Sequence, residues 1–177
     1  MSTTNILMAG FGGQGVLFLG KVTAYAGLMD NKQITWLPAY GPEMRGGTAN
    51  CSVCISDDLI GSPLVENPDI LIAMNLPSLD KFIDCVVPNG TVLLDSSMID
   101  KKVERTDLNV FYVPATQLAN DSGLTGLANM IMLGKMFKET GFCTECAMED
   151  ALLQCVPARK SEMIELNKKA LRLGSEL

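Results

Sequence analysis

Gly10-Phe11-Gly12-Gly13-Gln14-Gly15 is the segment whose residue types and spacing bear most directly on chemistry. It follows a short apolar run over residues 5–9 and opens a helical pattern over 16–29. In that setting Gly-x-Gly-x-x-Gly approaches a phosphate. The glycines permit a tight turn, and the bare N–H groups at a helix start attract an anion. Gly13 exposes further backbone and Gln14 adds a side-chain amide. The rest of the dinucleotide fingerprint fails. A ribose-binding acid should close the second strand, about 20 residues on. The second strand, read over 34–37, runs into Pro38-Ala39-Tyr40; Asp30 precedes it and Glu43 follows it in a loop. Ordinary NAD binding is disfavoured. Two readings stay open: a phosphate-bearing ligand, or a structural turn for close strand–helix packing.

The second notable stretch is residues 38–50. It places two prolines, three glycines, Tyr40, Glu43 and Arg45 between two strand patterns. Loops so constrained tend to carry function. Arg45 beside Gly46-Gly47 is placed to offer a guanidinium fork to phosphate or carboxylate, or else to pair with Glu43. If the strands before the two glycine-rich loops run parallel, both loops leave one rim of the sheet.

The cysteines invite a metal reading that the spacing resists. Cys51-x-x-Cys54 and Cys143-x-x-Cys146 look like halves of a four-thiolate site. Residues three apart on a strand point to opposite faces, so Cys51 and Cys54 are not expected to share an ion. Cys51, Cys54, Cys85 and Cys155 are expected as small core residues. Cys143 and Cys146 flank a helix start and are expected to be more open, with the dipole lowering the thiol pKa. No metal site is assigned. The chain has no histidine, which removes Ser-His-Asp and Cys-His catalysis and imidazole zinc sites. No residue is assigned as catalytic.

The elements that must position these residues alternate. Strands are expected over 5–9, 34–37, 50–56, 70–74, 91–95 and 110–113. Helices are expected over 16–29, 77–86, 116–120, 126–139, 145–155 and 159–173, with Thr144 as an N-cap and Gly141 and Gly174 as C-terminal caps. The link between 34–37 and 50–56 is too short for a crossover helix, so part of the sheet should be antiparallel. The expectation is one α/β domain over 1–177: three layers, a Rossmann-like, mostly parallel sheet with an antiparallel portion, and helices on both faces.

The chain has 177 residues, 47% of them apolar and 19% charged. Soluble domains average about 25% charged residues. A deficit of this kind suggests surface meant for a partner. With a net charge of −6, nonspecific nucleic-acid binding is not expected. No apolar run approaches the ~18 residues of a membrane span, no signal peptide is visible, and six cysteines fit a reducing compartment. The reading is cytoplasmic, with no membrane.

Gly10–Gly15 together with Tyr40-Gly41-Pro42-Glu43-Met44-Arg45-Gly46-Gly47-Thr48-Ala49 resembles the gamma subunit of 2-oxoacid:ferredoxin oxidoreductases, closest to the 2-oxoglutarate type. Asn129 in Ala128-Asn129-Met130 and the run Asn167-x-x-Ala170-x-x-x-Gly174 extend the resemblance. It implies a complex that converts a 2-oxoacid and coenzyme A to acyl-CoA and CO2, with ferredoxin as acceptor. It also implies alpha, beta and ferredoxin-like delta partners. Thiamin diphosphate, Mg and Fe-S clusters would lie in those partners, since no Gly-Asp-Gly segment or ferredoxin cysteine run is present. Gly10, Gly12, Gly13, Gln14 and Gly15 would be the phosphate-loop candidates. Tyr40, Glu43, Arg45, Gly46 and Gly47 would form a loop facing CoA or a partner. The alternative is a stand-alone nucleotide- or CoA-binding module.

Overall fold

The computed structural model describes residues 3–40 and 48–177, with the backbone alone at Tyr40. Glu43, Arg45, Gly46 and Gly47 lie outside the described residues. Among the described residues the core is a six-stranded sheet in the order β2-β3-β1-β4-β5-β6. The strands are β1 (Thr3–Phe11), β2 (Gln33–Tyr40), β3 (Thr48–Ser56), β4 (Ile70–Ala73), β5 (Thr91–Asp95) and β6 (Asn109–Val113). β1 pairs parallel with β4, β4 with β5, and β5 with β6. β3 pairs antiparallel with both β1 and β2. β3 therefore runs against all the others, as the short β2–β3 link requires.

The sheet is covered unequally. One cluster takes Ile6 and Met8 of β1, Cys51, Val53 and Ile55 of β3, and Ile72 of β4. It packs under α1 (Val16–Met29), α3 (Ala115–Asp121), α4 (Ala128–Thr140), α5 (Glu145–Cys155) and α6 (Glu162–Ser175). The opposite cluster takes Leu7, Cys54, Leu71 and Leu94, with Leu79 of α2 (Leu76–Phe82) and the irregular Val65 and Ile99. Burial on both sides explains why Ile70–Ala73 reads as an unbroken apolar run rather than an alternating one. α1 is wide-striped because it lies between the sheet and α5.

Several boundaries depart from expectation. The helix read from 159 starts as a separate 3-10 turn, Ala158–Lys160, and α6 itself begins at Glu162 and runs on to Ser175. The helix read over 77–86 ends as α2 at Phe82 and continues as a 3-10 turn, Ile83–Cys85. The helix read from 126 begins at Ala128, because Gly126 sits at φ 87°, outside helical space. Gly174 is not a cap. It lies inside α6, where a Cβ would collide with the Ile131 carbonyl oxygen of α4; Gly134 of α4 meets the Leu171 carbonyl in the same way. The two helices touch backbone to backbone, which only glycine permits. Thr144 does cap α5, its Oγ1 accepting from the Ala147 N–H, and Gly141 ends α4 at φ 57°.

Candidate functional site

The glycine turn leaves the carboxyl end of β1 and enters α1 directly. Gly13 has φ 101° and Gly15 φ 73°. Gln14 folds back over the turn. Its Oε1 accepts from the Phe11 N–H at 2.6 Å and its Nε2 donates to the Met74 carbonyl at 2.9 Å. The amide expected to face a ligand therefore latches the turn to the end of β4. A Cβ on Gly10 would lie 2.7 Å from Gln14 Oε1 and 2.9 Å from Val16 Cγ2, so Gly10 is what lets Gln14 fold inward. Gly15 is pressed against α4. Asn129 Nδ2 donates to the Gly15 carbonyl at 3.1 Å, and Asn129 Oδ1 is buried without a hydrogen-bond partner.

Beside this turn lies a cleft of about 200 Å³ lined by Gly13, Gln14, Met74, Met98, Thr116 and Ala128, among others. It sits where α1 leaves one face of the sheet and α2 the other, at the carboxyl ends of the parallel strands β1 and β4, where ligands gather in open α/β sheets. α1 and α4 both start here, and neither has a side-chain cap hydrogen bond. Their first N–H groups carry the positive end of each helix dipole. The far wall is tied down by buried Asp95, which accepts from the Ser97 N–H at 3.1 Å, the Thr116 N–H at 3.2 Å and Thr116 Oγ1 at 2.5 Å. The surface combines thioether and methyl walls with backbone donors. It suits a ligand with an apolar body and an anionic group.

Met74, Met98, Thr116 and Ala128 were not singled out from the sequence as site residues. A usable signal existed: Met74 follows β4, and Thr116 follows β6, at the carboxyl ends where such sites form.

The two loop stems meet on one rim. Ala49 of β3 pairs with Gly10 on one side and with Tyr40 on the other. β3 also separates β2 from β1. Neighbouring strands are about 4.8 Å apart. An acid at the end of β2 would thus stand about two strand spacings from the glycine turn, too far for the usual ribose contact. Asp30 has another role: its carboxylate accepts from Thr144 Oγ1 and the Thr144 N–H, both at 2.6 Å, and anchors the start of α5.

The thiols separate as the strand alternation predicts. Cys51 lies under α1, donating to the Val16 carbonyl at 3.5 Å, and Cys54 lies on the opposite face, donating to the Ser62 carbonyl at 3.9 Å. Burial pushes the Cys51 thiol up to about 12 and the Cys155 thiol up to about 11. Cys143 corrects its expectation. It is buried, and burial, with the Asp30 charge adding to it, pushes its thiol up to about 12 rather than down. Cys146 is the exposed one of that pair, and Cys85 is half-buried rather than core. Among the described residues no three potential metal-ligating side chains converge. No helix among them is long and apolar enough to cross a membrane.

Residues 5–177 match the family described as pyruvate ferredoxin/flavodoxin oxidoreductase. The chain belongs to the pyruvate ferredoxin/flavodoxin oxidoreductase family. Within it, the chain is similar to the ketoisovalerate oxidoreductase subunit VorA of Methanothermobacter thermautotrophicus, 40% identical over 173 residues, covering 97% of this chain and 35% of that protein. It thus spans about a third of the length of that relative. The 2-oxoglutarate synthase subunit KorC of Methanothermobacter marburgensis is 37% identical over 179 residues, with 97% of this chain and 95% of that protein covered. Among solved structures, the keto/oxoacid ferredoxin oxidoreductase gamma subunit from Geobacter sulfurreducens superposes with a TM-score of 0.87 at 31% identity, covering 99% and 96% of the two chains. The fold seen here is thus that of the Geobacter gamma subunit over nearly the whole of both chains.

Proposed function

We propose that residues 1–177 form the gamma subunit of a 2-oxoacid:ferredoxin oxidoreductase, of the 2-oxoglutarate type. The observation that carries this is the near end-to-end match to the 2-oxoglutarate synthase subunit KorC, a chain of the same extent. The complex would convert a 2-oxoacid and CoA to acyl-CoA and CO2, passing two electrons to ferredoxin. Thiamin diphosphate with Mg, supplying carbanion chemistry, and Fe-S clusters, supplying electron transfer, belong to the alpha, beta and ferredoxin-like delta partners. The described residues do not fit an Fe-S cluster: no three potential ligands converge among them, and the Cys51, Cys143 and Cys155 thiols are buried and held protonated. A cytoplasmic complex fits six free cysteines.

The switch-point cleft and the rim beside it would face the catalytic partners and hold part of CoA. The N–H groups at the starts of α1 and α4 would meet a phosphate, Met74 and Met98 the apolar arm, and Arg45 a further phosphate. Ala128→Leu, which fills the cleft, and Arg45→Ala should each raise the KM for CoA about tenfold in the assembled complex, equivalent to roughly 1.4 kcal/mol. Weakened assembly with unchanged CoA kinetics would assign the rim to docking alone. A chain that stays monomeric yet binds CoA would favour the stand-alone module.

A further inference from the structure

The face of the sheet opposite α1 is finished differently at its β2–β3 end. Among the described residues no helix covers it there; the cover is an irregular strap, residues 57–69, running from β3 to β4. The strap is pinned at both ends and in the middle. The Asp58 N–H donates to Ser56 Oγ at 3.2 Å, Cys54 Sγ to the Ser62 carbonyl at 3.9 Å, and the Asn5 N–H to Asp69 Oδ2 at 2.7 Å. Val65 plugs into the core at 8% exposure. A strap so held should turn its apolar residues inward. Instead Leu59 is 90% exposed, more than any other large hydrophobic among the described residues, and Leu64 is 58% exposed. Leu37, on the same face of β2 by strand alternation, is 38% exposed.

The strap carries Asp57, Asp58, Glu66 and Asp69 and no lysine or arginine. Asp57 pairs with Lys32 and Asp69 is bound by Asn5, while Asp58 and Glu66 stand exposed beside the leucines. The strap thus presents two exposed leucines with exposed acidic side chains close to them in the chain and no basic residue of its own.

We infer that the 57–69 strap, through Leu59 and Leu64, is a docking surface for another subunit of the oxidoreductase, one presenting an apolar contact edged with lysine or arginine. The inference rests on the proposed role as a subunit. Charge selects the occupant. A second copy docking through the same patch would bring two sets of Asp58 and Glu66 together, whereas a basic border complements them. The VorA relative, of which this domain is about a third, shows that the family joins further protein to this domain.

The test uses the full chain and the purified remainder of the complex, with affinity measured at several salt concentrations. Leu59→Ser/Leu64→Ser should weaken association at least about tenfold and leave the melting temperature unchanged, since both side chains are exposed. Should the double variant lose its fold, Leu59→Ser alone, at 90% exposure, replaces it. Asp58→Lys/Glu66→Lys should also weaken association and flatten its salt dependence. Leu153→Ser, half-exposed on α5, should change nothing. Wild-type affinity in the folded leucine variant overturns the inference. Loss of binding in the leucine variant with none on charge reversal overturns the basic border. Self-association of the lone chain that the leucine variant abolishes makes a second copy the occupant and also overturns it. Failure of the unchanged chain to bind the remainder overturns the subunit reading and this surface together.

Discussion

Gln14 shows how a residue with an evident chemical use serves the fold first. Its amide bridges the Phe11 N–H at the end of β1 and the carbonyl of Met74, the residue just after the neighbouring parallel strand β4. Gln14→Glu keeps an acceptor for Phe11 but sets a carboxylate oxygen against the Met74 carbonyl, replacing a donor–acceptor pair with two acceptors. Gln14→Ala removes both bonds and leaves two part-buried groups unmet. Each change should cost about 1–3 kcal/mol, read as a lower urea midpoint at unchanged slope. Gln14→Glu is expected to be the worse of the two, because it adds repulsion to the loss. The sequence placed this turn correctly between strand and helix, but the Met74 partner lies 60 residues away and leaves no local signature. The Cys51–Cys54 separation was legible for the opposite reason: strand alternation alone decides it.

At the scale of elements, α1 and α5 have the limits that periodicity and capping predict, Val16–Met29 and Glu145–Cys155. Local signals suffice there, as Thr144 before Glu145 illustrates. The α4–α6 contact was not legible, since a glycine near a helix end reads equally as a cap or as a point of close approach. Gly174 and Gly134 each face a carbonyl oxygen of the other helix, and a backbone atom cannot swing aside as a side chain can. Gly174→Ala must therefore push the helices apart, unlike an ordinary glycine-to-alanine change inside a helix, which would add about 1 kcal/mol of stability. The expected result is a loss of about 1–3 kcal/mol in thermal or urea unfolding. A neutral or stabilising outcome would show that the helices separate freely. Strand order is likewise non-local. The antiparallel β2–β3 pair follows from the short link, but nothing in the sequence placed β3 between β2 and β1.

For the whole molecule, the described residues offer binding rather than redox chemistry, as the proposed subunit role requires. There is no histidine, and the Cys51, Cys143 and Cys155 thiols sit well above neutral pH, so neither imidazole nor a ready thiolate at these positions serves as base or nucleophile. What the described switch-point cleft offers is backbone N–H groups and methionine walls, with the buried Asp95 carboxylate fixing Thr116 behind them, a set that binds and orients without transferring electrons. Oxidative decarboxylation of a 2-oxoacid releases two electrons and so requires a carrier. The isolated chain, supplied with 2-oxoglutarate, CoA, thiamin diphosphate and Mg, should therefore give no reduction of a viologen dye above a protein-free control. The same assay should show activity when the remaining subunits are added, at a rate that saturates as this chain reaches stoichiometry with them. Dye reduction by the pure chain would mean that a redox centre exists where these residues provide none, and would end the reading of this protein as a binding and docking subunit.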